Sequence, residues 1–65
     1  MTTSSDIIEK LTKLGWVKVA QKGSHVQFKH IDFSGRVTVP HPKREVPIGT
    51  LRSIYRQAGL LWPPE

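Results

Sequence analysis

A chain of 65 residues without a single cysteine has to hold itself together by packing alone. At that size a fold buries only about 60% of the surface its unfolded chain exposes, so the core is thin. Disulfides are excluded, and so is any thiolate metal site. Further support is expected from a partner protein or from oligomerisation. The lack of cysteine also fits a reducing compartment, and the expected location is cytoplasmic. No apolar run approaches the roughly 20 residues of a membrane span, and the chain does not open on a signal-peptide pattern, so no membrane association is expected. A single domain over residues 1–65 is expected.

With so few apolar residues, their spacing decides the fold. Ile7, Ile8, Leu11 and Leu14 recur at helical period and give one stripe. Ser5 or Asp6 is the expected N-cap, Asp6 and Glu9 have capping-box spacing, and Gly15 ends the helix. Residues 1–4 read as ragged. Trp16 to Gln21 reads as a strand with imperfect alternation, Val17 and Val19 on one face and Trp16 and Lys18 on the other. Lys22-Gly23-Ser24 is a turn. His25 to His30 is a cleaner strand, with Val26 and Phe28 pointing one way and His25, Gln27 and Lys29 the other. Asp32-Phe33-Ser34-Gly35 is expected to be a hairpin turn, with Gly35 at positive φ. Arg36 to Pro40 forms the third strand, Val37 and Val39 facing inward, and Pro40 and Pro42 stop it. A proline-stiffened connector over 40–47 leads to a second helix that starts near Pro47 to Thr50. Its expected buried stripe is Ile48, Leu51, Ile54, Tyr55 and Ala58, with Gly59 as its cap. Residues 61–65 form a tail. The predicted class is α+β in the order αβββα, a three-stranded antiparallel sheet with two helices on one face.

Ten Lys and Arg face five Asp and Glu, for a net charge of +5. The imbalance is concentrated. Residues 16–56 carry Lys18, Lys22, Lys29, Arg36, Lys43, Arg44, Arg52 and Arg56 against Asp32 and Glu45 alone. Such a field suits a polyanion, with nucleic acid ahead of a lipid surface.

The segment richest in chemistry is Lys22-Gly23-Ser24-His25. Glycine lets a backbone approach a phosphate closely, and Lys22 can pair with it. A free imidazole titrates near about pH 6.5, so His25 is a candidate acid–base group, able to deprotonate a ribose 2′-hydroxyl. His41 lies between two prolines and reads as a turn residue or a second RNA contact. His30 ends a strand and reads as structural. His25 and His30 are five apart on a strand and face opposite ways, which argues against a shared metal. No cofactor is expected. Phe28 and Tyr55 read as core. Trp16 either stacks on bases or closes the gap between helix and sheet, and Trp62 either folds back or marks a protein contact. Arg52 and Arg56 read as solvated.

Four ordered blocks of the chain resemble the HicA-type mRNA interferase toxins of bacterial toxin–antitoxin pairs. They are Gly15-Trp16, Gln21 to His25, Val37 to His41, and Ile48 to Leu60. The resemblance implies a fold like that of double-stranded-RNA-binding domains. It implies a ribosome-independent endoribonuclease whose catalytic histidine follows Gly-Ser, which is His25 in this sequence. It also implies a HicB-type antitoxin that binds the toxin and blocks its site, in a hetero-oligomer. The expected RNA contacts are Lys22, Gly23, Ser24, Lys29, His41, Lys43 and Arg44, and the expected reaction needs no metal. The competing expectation is a non-catalytic double-stranded RNA binder. It would use the loop between the first two strands, the first helix and a basic start of the second helix to cross the minor groove.

Overall fold

The computed structural model describes residues 2–64. Its elements are α1 (Ser4–Lys13), β1 (Val17–Lys22), β2 (His25–Lys29), β3 (Val37–Pro40) and α2 (Ile48–Gln57). The three strands form one antiparallel sheet in the order β1-β2-β3. Both helices pack on the same face, against β3. The core lies between the layers. Val26, Phe28, Val37 and Val39 supply it from the sheet, Ile7 and Leu11 from α1, and Leu51, Ile54, Tyr55 and Ala58 from α2. The opposite face of the sheet is uncovered. The αβββα order and the two-layer α+β class are as the sequence predicts.

Helix α1 starts earlier than its sequence suggests. Thr3, not Ser5 or Asp6, is the N-cap, and the capping box pairs Thr3 with Asp6: the Asp6 amide donates to Thr3 Oγ1 at 3.1 Å. The reason is tertiary. Ser4 is 1% exposed, its amide donates to the Lys43 carbonyl, and its hydroxyl accepts from the Lys43 amide. The Val46 amide donates to the Thr2 carbonyl. Residues 2–4 are therefore tied down rather than ragged, and Met1 lies outside the described residues. At the far end Leu14 is the C-cap. It lies past the last helical turn, drops off the stripe and is 45% exposed.

Strand β1 alternates poorly because it carries a β-bulge. The register runs from Lys18↔Phe28 directly to Ala20↔Gln27, which leaves Val19 as the extra residue. Trp16 sits before the strand, not in it. It is buried against the rings of His30 and Phe33. That cluster also explains the β2–β3 connection. Gly35 is not at positive φ. The chain turns instead at His30 to Phe33, closed by the Phe33 amide on the His30 carbonyl, with Phe33 stacked on Trp16. The outer edge of β3 is partly satisfied by α2, whose Gln57 side chain accepts from the Thr38 amide.

In α2 the predicted stripe holds from Leu51 to Ala58 but not at Ile48, which is 76% exposed. Ile48 is the first residue of the helix, and the core at that end takes Val46 from the connector. Trp62 folds back onto α2. It packs edge-on against Tyr55, and the Arg52 guanidinium lies over its indole.

Gly15 is the position where a side chain is least tolerable. Its φ is +96°, and a Cβ would lie 2.9 Å from His30 Nε2, the atom that bonds the Leu14 carbonyl. Gly15→Ala should therefore destabilise the fold by about 1–3 kcal/mol, from backbone strain together with displacement of the His30 ring. Chemical denaturation checks this. A midpoint equal to that of the wild type would show that the turn relaxes freely.

Candidate functional site

The uncovered face of the sheet follows from the pattern that builds the core. Val26 and Phe28 point inward, so His25, Gln27 and Lys29 point outward. Cross-strand pairing then fixes their neighbours. Lys22 stands opposite His25 on one side and Pro40 on the other. Directly opposed residues have Cβ atoms about 5 Å apart, so Lys22 brings its positive charge beside the His25 ring. The link between them is the two-residue turn Gly23-Ser24. Gly23 has a φ of +60°, which suits a tight hairpin, and the space where its Cβ would be is open. Lys22, Gly23, Ser24 and His25 are all exposed.

The three histidines have different commitments. At His30 both ring nitrogens are engaged: Nε2 donates to the Leu14 carbonyl at 2.9 Å, and Nδ1 accepts from the Asp32 amide at 3.0 Å. Its role is to lock the end of α1 to the β2–β3 loop. At His41 one nitrogen is engaged, with Nδ1 2.7 Å from Ser4 Oγ. His25 makes no side-chain hydrogen bond among the described residues, so its lone pair is open to an incoming group. No three His, Asp or Glu side chains come together as a metal site among the described residues.

The expected contact residues fall into two groups. Lys22, Gly23, Ser24 and His25 lie at one end of the sheet. His41 joins them there through its backbone amide, which donates to the Ser24 carbonyl at 2.6 Å. The connector carries Lys43 and Arg44 onward from this end to a shallow groove against Thr3, Ser4 and Ser5. Lys29 is at the other end of β2, roughly 13 Å along the strand. The open face holds one cation whose part in it the sequence did not reveal: Arg36 reaches across to Gln27 Oε1 at 2.6 Å. A one-residue pattern cannot foresee that, because the contact spans the loop. The arrangement is a wet surface rather than a pocket. The cavity of about 100 Å³ between the helices is lined by residues such as Ile7, Lys10 and Tyr55, and does not include the 22–25 turn.

Comparison with known families matches residues 4–60 to the HicA toxin of bacterial toxin–antitoxin systems. Comparison with curated proteins finds no match. The matched span runs from the buried Ser4 to Leu60, just past α2, and takes in every element of the fold and the whole 22–25 turn. The chain belongs to the HicA toxin family.

Proposed function

We propose that this HicA family member is a ribosome-independent endoribonuclease, an mRNA interferase that works in the cytoplasm without a metal ion, with His25 as its acid–base group. The observation that carries this reading is the position of His25. It is the histidine whose ring no other side chain claims among the described residues, and it stands on the uncovered face directly across from Lys22. The chemistry follows from those two groups. Lys22 pairs with a phosphate that the open backbone of Gly23 and Ser24 lets come close. His25 takes the proton of the neighbouring ribose 2′-hydroxyl. The 2′-oxygen attacks phosphorus, the bond to the 5′-oxygen breaks, and that oxygen takes a proton from solvent. The products are a 2′,3′-cyclic phosphate and a 5′-hydroxyl. Lys29, His41, Lys43 and Arg44 hold the strand to either side. A HicB-type antitoxin covers the same surface in a hetero-oligomer and blocks access.

A non-catalytic duplex binder fits less well. Such a module uses a basic start of its second helix, whereas α2 opens on Ile48-Gly49-Thr50.

His25→Ala should lower single-strand cleavage by at least about 10²-fold, the lower range for general acid–base catalysis. Its melting temperature should stay near that of the wild type, because the lost ring is exposed and unbonded. Cleavage at the wild-type rate would remove His25 from the chemistry. Placing a 2′-deoxynucleotide at the cleaved position should stop the reaction, as judged by gel analysis of end-labelled RNA. Continued cutting there would mean that water, not the 2′-hydroxyl, attacks.

A further inference from the structure

We propose that His41 is a second functional residue of this site, a neutral hydrogen-bond donor oriented by the buried hydroxyl of Ser4. The inference rests on the endoribonuclease reading above and assigns His41 a specific part in it.

The tautomer is assigned by counting donors. Ser4 Oγ lies in a residue that is 1% exposed, and it accepts from the Lys43 amide at 2.8 Å. Its one hydroxyl proton needs an acceptor, and the neighbour in reach is His41 Nδ1 at 2.7 Å. If Nδ1 carried a proton, that hydroxyl proton would have no acceptor among the described residues, at a cost of about 1–3 kcal/mol for a buried polar group. We therefore assign Nδ1 as the acceptor, the tautomer that leaves the ring N–H on Nε2. No buried side-chain nitrogen or oxygen is left without a partner among the described residues. Nε2 of the half-buried His41 makes no such bond there, so its N–H opens to solvent.

The same residue is anchored to the proposed catalytic turn. The His41 amide donates to the Ser24 carbonyl, one residue before His25. His25 pairs with Pro40, so the two imidazoles flank one end of the sheet, His25 from the open face and His41 from the side of α1. A ribose–phosphate strand must wrap this end of the sheet, past Ser24, to meet both. A neutral imidazole N–H does not release its proton to a leaving group. It stabilises charge. As the 2′-oxygen attacks, negative charge grows on the non-bridging oxygens of the phosphate, and a donor fixed in advance is worth more there than in the ground state. The proton balance is unchanged: His25 accepts the 2′-hydroxyl proton, and the 5′-oxygen is protonated by solvent. Ser4 is the positioning residue that acts through His41.

The informative variant is His41→Asn. Its short amide can keep a partner for the Ser4 hydroxyl while removing the Nε2 donor. It should melt near the wild type yet lose about 10-fold in kcat, less than a donor in a water-excluded site would give, with KM changed by no more than a few-fold. Ser4→Ala should show a smaller kcat loss in the same direction. A second readout uses RNA with a single phosphorothioate at the cleaved linkage. The wild type should be slowed by sulfur in one diastereomer, and His41→Asn should respond to both alike. A His41→Asn protein that cuts within about three-fold of the wild type, or that keeps the full diastereomer preference, overturns the assignment. If that result appears while His25→Ala is inactive, this inference alone falls. If the wild-type chain cuts no RNA, the endoribonuclease reading falls with it.

Discussion

The sheet can bury only one of its faces, and nearly everything else in this molecule follows from which one. Val26, Phe28, Val37 and Val39 are each at most 2% exposed and lie beneath the two helices. Side chains alternate along a strand, so burying Val26 and Phe28 forces His25, Gln27 and Lys29 outward. The placement of the imidazole is thus a by-product of the core. A one-residue slip of β2 would reverse both at once, sealing His25 under the helices and exposing Phe28. Two features hold the register. The Gly23-Ser24 turn leaves no slack between β1 and β2, and the bulge at Val19 absorbs a mismatch in β1 that would otherwise propagate.

That dependence explains what could be read from the sequence. The face taken by His25 was legible because it depends only on its neighbours Val26 and Phe28. The order of elements was legible because each segment has its own apolar period. The failures share a different origin. The start of α1 at Thr3 depends on Ser4 meeting Lys43, far along the chain. The exposure of Ile48 depends on Val46 filling the core first, and the turn at His30 to Phe33 depends on Trp16 lying beneath it. Local rules of capping and turn preference describe a segment alone, and in each of these cases a long-range contact outweighed them. The candidate site residues divide in the same way. Lys22 and His25 share one hairpin and could be paired from sequence. The Ser4–His41 bond joins α1 to the connector and could not.

A chain without disulfides and with a thin core needs other means of fixing its connections. Here polar contacts between segments serve that purpose. The Thr2 carbonyl holds Val46, Ser4 holds Lys43 twice and His41 once, Gln57 holds the edge of β3, and Lys10 Nζ donates to the Tyr55 hydroxyl. Each contributes only about 1 kcal/mol net, but a buried partner left unsatisfied costs more than the bond returns. Ser4 is the clearest case. Its hydroxyl is one of few polar groups taken out of water, and it ties α1 to two residues of the connector at one atom. That makes the connector over 40–47 a fixed part of the domain rather than a loose strap, although it contains no regular structure.

The three imidazoles show how one side chain is adapted to different tasks by what its nitrogens already do. His30 has spent both on the backbone and works as a clamp. His41 has spent one, on the buried Ser4 hydroxyl. His25 has spent none among the described residues, which is the condition a base must meet. A site of this kind, exposed on a flat surface, cannot gain the enhancement that a closed, dry pocket gives to charged groups. It has to obtain orientation from the substrate. On the reading proposed above, a polymer with a charge at every unit supplies it, because Lys22 and Lys29 stand at opposite ends of the sheet and can meet separate phosphates. On that reading the cations spread along the strand and the connector belong to the proposed site, where they would fix the ribose next to His25.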